Sequence, residues 1–245
     1  MRGFHAALVL FGVAVASGCG GGSTSPAHPE PLTVYAAASL REVLPAIDPS
    51  PRYSFAGSDQ LAVQIREGAP ADVYIAASTE HPQLLFDDGL VEEPVTFASN
   101  RLVLLLPKAN PAGIATVRDV ARAGVTLVVA AEGVPVGGYT RQALVRLGLT
   151  DALRNVVSNE TDVSGVVGKV SLGEADAGFV YATDAAAAGG DVMSIELPVG
   201  AQPPIGYQIA VVASSTRMDA ARAFVEKVTG EPGRRTLTSA GFGPP

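Results

Sequence analysis

Short apolar runs recur along this chain, and most of them hand over to a segment with helical spacing. The first part reads as a strand over 32–37, a helix over 40–47, a strand over 53–55, a helix over 59–67, a buried strand over 72–76 and a helix over 81–88 that Gly89 closes. Continuous apolar strands that alternate with helices need cover on both faces, which argues for parallel sheets flanked by helices. The pattern then starts afresh with the strand RLVLLLP over 101–107. A short helix over 117–123, a strand over 126–130 and a helix over 138–147 follow, the last closed by Gly148. Next come a helix over 163–172, strands over 177–181, 191–196 and 207–212, and helices over 220–229 and 234–240.

This restart predicts an α/β protein of two lobes, each a mostly parallel sheet with flanking helices. Residues 32–98 with 206–245 would form lobe I and 99–205 lobe II, the chain crossing near 97–101 and again near 198–207. Hydrophobic residues make up 47% of the chain and charged ones 17%, enough for a substantial core. Open α/β sheets bind ligands at the carboxyl ends of their strands, beside helix N-termini. With two lobes, that location is the cleft.

Two junctions point to the kind of ligand. In YAAASL and FAGSDQ an apolar run ends in small residues, then Ser39 or Ser58, then a helical pattern. Serine in this place predicts an N-cap, and the free N–H groups of a helix start attract anions. One such serine is commonly a cap and nothing more; two so close together predict two helix ends facing one small oxyanion. The second part of the chain adds further donors. GVPVGGY over 133–139 is either a plain turn or a place where the Val136 and Gly137 N–H groups cap an anion. Asp162 predicts an N-cap that leaves the Val163 N–H at an exposed helix end. Tyr181 closes a strand, either as a packing residue or as a hydroxyl that reaches an oxyanion without bringing a charge; Asp184 after it reads as another N-cap.

Several function classes fall away. The net charge is −7 and the basic residues cluster no further than Arg234-Arg235, which argues against nucleic acid as a partner. An acidic chain that holds an anion must do so with local dipoles. The three histidines, His5, His28 and His81, cannot be matched to a serine and an orienting acid, so neither Ser39 nor Ser58 reads as a hydrolase nucleophile. No GxSxG, GxGxxG, phosphate-loop or metal-ligand spacing occurs, so no enzyme, cofactor or resident metal is expected. At the start, Arg2 and an apolar stretch to Ala16 read as a signal peptide over 1–18. Ala16-Ser17-Gly18-Cys19 matches the bacterial lipobox, in which the cysteine is lipidated; the alternative is an ordinary signal cut near Gly20. Cys19 is the one cysteine, which excludes a disulfide within the chain. Residues 19–31 then form the anchor and a Gly/Ser/Pro tether, and the folded part begins near Leu32, outside the cytoplasm.

AAASL, FAGSDQLAVQIREGAPADVYIAAS, NRLVLLLPK, VPVGGYTRQALVRLG, GEADAGFVYATDA and a closing AGFG occur in one order, from Leu32 to Phe242. Together they resemble the periplasmic molybdate-binding proteins of bacterial ABC importers, class II solute-binding proteins. The resemblance implies a binding protein that performs no chemistry. Molybdate or tungstate would be held by hydroxyls and backbone N–H groups without a cationic side chain, and a membrane permease would be the partner. It carries the ligand set onto Ser39, Ser58, Val136, Val163 and Tyr181, with Ala77 lining the pocket; with the anchor read from Cys19, a lipid-anchored monomer is expected. Asp59 follows Ser58 where the family usually has a small neutral residue, and Val136 stands where alanine is common. An acid beside a dianion repels it unless turned outward, whereas an inward Asp59 would favour phosphate by accepting its proton. Sulfate, phosphate and a ligand-free sensor therefore stand as alternatives.

Overall fold

The computed structural model describes residues 30–245; the expected signal segment, Cys19 and the tether up to residue 29 lie outside the described residues. Two five-stranded sheets carry the fold. The first holds β1 (Thr33–Ala37), β2 (Arg52–Ala56), β3 (Val73–Ala76), β4 (Val95–Asn100) and β10 (Ile205–Val211), in the order β2-β1-β3-β10-β4. The second holds β5 (Leu102–Pro107), β6 (Leu127–Ala130), β7 (Val156–Glu160), β8 (Ala177–Tyr181) and β9 (Val192–Glu196), in the order β7-β6-β8-β5-β9.

The two sheets share one plan. β1 pairs in parallel with β2 and β3, and β6 in parallel with β7 and β8. β10 runs against β3 and β4, and β5 against β8 and β9. In each sheet the one reversed strand is the strand the chain enters from the other sheet. The chain crosses at Arg101, between β4 and β5, and crosses back between β9 and β10. The central strands β3, β5, β6 and β8 are buried at every position, as their unbroken apolar runs require.

Helices α1 (Val43–Ile47), α2 (Ser58–Arg66), α3 (Glu80–Asp87), α7 (Met218–Thr229) and α8 (Glu231–Ser239) belong with the first sheet. Helices α4 (Pro135–Leu147), α5 (Val163–Ser171) and α6 (Ala182–Ala187) cover the second. The helix expected over 40–47 is two pieces, a 3₁₀ turn over Ala38–Leu40 and then α1. The segment expected as a helix over 117–123 is a 3₁₀ turn over Val117–Ala121. α4 starts three residues earlier than its periodicity implied, because Pro135 serves as its first residue, where a missing N–H costs nothing.

A buried carboxylate ties the first lobe's chain ends together. Asp72, 3% exposed, accepts from the Thr33 N–H at 2.7 Å and from Ser215 Oγ at 2.7 Å, and pairs with Arg217. Burial pushes its carboxyl up, but the bonds from Ser215, the Thr33 N–H and Arg217 outweigh burial and hold it below the usual value. The stabilisation it supplies is therefore complete above the ordinary carboxylate pKa and lost as pH falls through the lowered one. Asp72→Asn is expected to cost about 2–3 kcal/mol in urea unfolding at pH 7. The gap to wild type should close as the titration is repeated towards pH 2; a gap that stays constant with pH would assign the effect to packing.

Candidate functional site

Between the sheets lies a cavity lined by Ala37, Ala38, Ser39, Ala56, Gly57, Ser58 and Ala77 from the first lobe. Val134, Pro135, Val136, Asp162, Val163 and Tyr181 from the second complete it. All six residues singled out from the sequence, Ser39, Ser58, Ala77, Val136, Val163 and Tyr181, meet on this one cavity. It measures about 10 Å³ for the centre of a water molecule, room for about one water with the lobes as they stand. No Lys, Arg or His lines it, and its one acidic lining residue, Asp162, turns its carboxylate to the Gly165 N–H at 3.0 Å.

Neither serine caps its own helix. Gly57 is the N-cap of α2 and Ser58 its first residue, while Ser39 sits inside the 3₁₀ turn that Ala37 opens. The expected capping role is thus replaced by a different one. Ser58 Oγ accepts from the Ala77 N–H at 3.1 Å, and its carbonyl accepts from Tyr74 OH at 2.7 Å. Ser39 Oγ lies 2.9 Å from Tyr207 OH. Both hydroxyls are held from behind while their residues face the cavity.

The helix starts supply N–H groups. The first turn of an α-helix has no internal acceptors for its N–H groups. With Pro135 first in α4, Val136 carries the leading amide; Val163 leads α5, and Asp162 is its N-cap as expected. Gly137 makes the first of these possible: a Cβ there would stand 2.0 Å from the Ala131 carbonyl oxygen. Asp184 is not an N-cap; Tyr181 holds that place and Asp184 lies in the first turn of α6. Asp184 is partly exposed as a residue, yet its Oδ2 is sealed off without a partner. Burial pushes its carboxyl up to about 7, an effect the Tyr181 backbone N–H partly offsets.

The lobes touch around the cavity. Tyr181 OH, completely buried, reaches the Ala77 carbonyl at 3.5 Å, and His81 Nε2 lies 3.2 Å from the Gly133 carbonyl oxygen. Gly57 leaves no room for a side chain at the seam, since a Cβ there would stand 2.5 Å from the Thr161 carbonyl oxygen. Asp59 does not line the cavity; its side chain lies along the seam beside Gly57 and Gly133. A larger groove of about 510 Å³ opens beside Ser39 and is lined chiefly by small residues, among them Ala38, Ala186, Ala187, Ala188 and Ala240. Ser39, Ser164, Thr183 and Ser239 bring hydroxyls to it, but Arg41, Glu42 and Asp184 line it as well, so it is not the neutral donor set of the small cavity. Among the described residues there is no group of three or more His, Cys, Asp or Glu placed to hold a metal ion. Among the same residues no helix is long and apolar enough to cross a membrane.

Sequence reasoning missed Tyr207 and Asn100, which stand behind Ser39. It also missed Gly57, whose lack of a side chain lets the lobes meet.

Known proteins resemble the chain over its whole described length. The molybdate-binding protein ModA of Mycobacterium tuberculosis is 35% identical over 257 aligned residues, covering 99% of this chain and 97% of that protein. The structure of the Azotobacter vinelandii periplasmic molybdate-binding protein superposes with a TM-score of 0.78 at 24% identity, over 87% of this chain and 99% of that one. That of the Mycobacterium tuberculosis sulfate-binding protein SubI does so at 0.75 and 19%, over 87% of this chain and 86% of that one. The family model for bacterial extracellular solute-binding proteins matches residues 32–243, and the chain belongs to that family.

Proposed function

We propose that this protein is the extracytoplasmic substrate-binding component of a molybdate ABC importer. The observation that carries the reading is the cavity itself: donor-bearing residues from both lobes converge on one small space, and no cationic side chain lines it. Ser39 and Ser58 supply hydroxyls and N–H groups, Val136 and Val163 supply N–H groups, Tyr181 supplies a hydroxyl, and Ala77 lines the wall. Such donors suit a dianion that carries no proton. Each bond to a charged partner contributes roughly 1.5–3 kcal/mol, so the seven named donors supply roughly 10–20 kcal/mol before the cost of association, against the roughly 8 kcal/mol net that sub-micromolar binding needs. The 35% identity to ModA of Mycobacterium tuberculosis supports molybdate as the particular oxyanion.

The mechanism is closure. An open form, with the lobe of the first sheet and the lobe of the second apart, takes the anion on the Ser39 and Ser58 side. Swinging about the two crossings then brings Val136, Val163 and Tyr181 onto it, excludes water and strengthens every bond. The closed form docks on the permease as a lipid-anchored monomer and alters no covalent bond of its ligand. Tungstate, alike in charge and shape, binds in the same way. Sulfate, smaller, leaves donors out of reach.

Calorimetric titration tests the ligand. Molybdate and tungstate should bind with similar affinity, and sulfate and phosphate about 100-fold more weakly, a gap of roughly 2.7 kcal/mol. Equal affinity for sulfate would remove the selection by size. Tyr181→Phe should weaken molybdate binding by roughly 1.5–3 kcal/mol and shrink the ligand-induced rise in melting temperature, while the melting temperature without ligand barely moves. Unchanged binding would make Tyr181 a packing residue. Cys19→Ser should release the protein from the membrane fraction of cells; a fully processed variant that still sediments with membranes would contradict the anchor.

A further inference from the structure

Behind Ser39 runs a chain of hydrogen bonds whose direction is determined at its far end. Asn100 closes β4 at the crossing between lobes and is nearly buried, 9% exposed. The Arg101 N–H donates to Asn100 Oδ1 at 2.8 Å, which settles which way the amide faces. Only the two Nδ2 hydrogens are then left for the other side. One goes to Thr183 Oγ1 at 2.9 Å and the other to Tyr207 OH at 3.4 Å. An amide NH₂ can only donate, so the Tyr207 oxygen is an acceptor there. Its single proton is free to point to Ser39 Oγ, 2.9 Å away. Burial, and after it the charge of Asp184, push the Tyr207 phenol far above its ordinary value, so it keeps that proton. Ser39, accepting from Tyr207, directs its own proton away from the tyrosine. Its residue lines the cavity.

We propose that Asn100 and Tyr207 are positioning residues that make the Ser39 hydroxyl a one-way donor into the cavity, and thereby set the site against oxyanions that carry a proton. The proposal rests on the oxyanion reading of the cavity. Ser58 is arranged to the same effect, since the Ala77 N–H fills one of its lone pairs. A fully deprotonated anion meets donors on every side. Hydrogenphosphate brings an O–H that must compete for the single lone pair each serine has left, since neither hydroxyl is free to turn, and a poorly satisfied buried polar group is costly. In the absence of Tyr207 OH, Ser39 Oγ can turn and accept that proton. Selectivity is thus governed by residues that do not line the cavity, one of them at the hinge.

Tyr207→Phe tests this with little disturbance, because the ring packs edge-on against Phe97, Tyr181 and Phe242 and the substitution keeps it. Binding of molybdate and of inorganic phosphate is measured by calorimetry at constant pH on wild type, Tyr207→Phe, Ser39→Ala and the double variant. Tyr207→Phe is expected to weaken molybdate about tenfold and to leave phosphate unchanged or tighter, so that the affinity ratio narrows at least tenfold. Ser39→Ala should add little in the Tyr207→Phe background, a non-additivity that marks two residues acting as one unit. Asn100→Asp, which turns the donor into an acceptor and so reverses the chain, should narrow the ratio as well and serves if Tyr207→Phe does not fold. A uniform loss for both anions, or additive losses in the double variant, would overturn the proposal and leave Tyr207 a packing residue. If wild type binds neither molybdate nor tungstate, the oxyanion reading fails instead, and the two failures are thereby told apart.

Discussion

The cavity exists only while two lobes lie within contact distance, and that contact hangs on a missing side chain. Gly57, at the start of α2, faces the Thr161 carbonyl at a separation no Cβ could occupy. Any larger residue would wedge the seam open. The Val136, Val163 and Tyr181 donors would then stand off from Ser39, Ser58 and Ala77. An anion held by neutral groups has no single strong partner to fall back on. It needs its donors together, in a site from which water is gone, where each bond is stronger than in solvent. On the proposed function, closure and affinity are therefore one quantity.

The crossings that permit closure are themselves closely bonded. Gln202, in the return crossing, grips the outgoing one at two points, its Oε1 accepting from the Leu102 N–H at 3.0 Å and its Nε2 donating to the Leu102 carbonyl at 2.8 Å. This side chain imitates a strand partner, so the two passes of the chain move as a pair. Next to them the C-terminal segment bridges to β4, with Ser99 and Gly243 exchanging backbone bonds at 3.0 and 2.9 Å. Asn100 sits in the same place and bonds to Thr183 in one lobe and Tyr207 in the other. Hinge and site are joined by a few polar side chains in an otherwise apolar interior.

Much of the architecture was legible because it follows from period and length. Runs such as LVLLL and TLVVA can only be central strands, and the break after Asn100 is marked by a fresh start of the pattern. β4 and β7 were not legible. Both lie at sheet edges, β4 bridged on its outer flank only at Ser99, and VTFASN and VVSNE accordingly mix polar and apolar residues without an alternation that stands out. Ser39, Ser58, Val136 and Val163 were found next to helix starts and Tyr181 at a strand end, whereas Ala77 came only through the family resemblance. The capping mechanism assigned to the two serines was not found, since Gly57 and Ala37 occupy the cap positions and the hydroxyls bond elsewhere. Tyr207 gave no local signal at all. A tyrosine inside an apolar strand reads as core, and its partner Ser39 lies 168 residues away in sequence.

The acidic character of the chain looks at odds with holding an anion, and the local geometry resolves the conflict. Asp162 spends its carboxylate on the start of α5, where a negative group stabilises the helix and leaves the Val163 amide facing the cavity. Asp59 lies along the lobe seam rather than in the cavity, which removes the inward acceptor that hydrogenphosphate would need. Asp184 is held close to neutrality by burial, so it adds only part of a charge beside α6 at neutral pH. Each acid near the site is thus bonded away, turned aside or partly protonated. What remains to act on a ligand is a set of partial positive charges from hydroxyl and amide hydrogens. A field of that kind falls off within a few ångströms, so it discriminates by shape and protonation where a lysine or arginine would accept any anion that fitted.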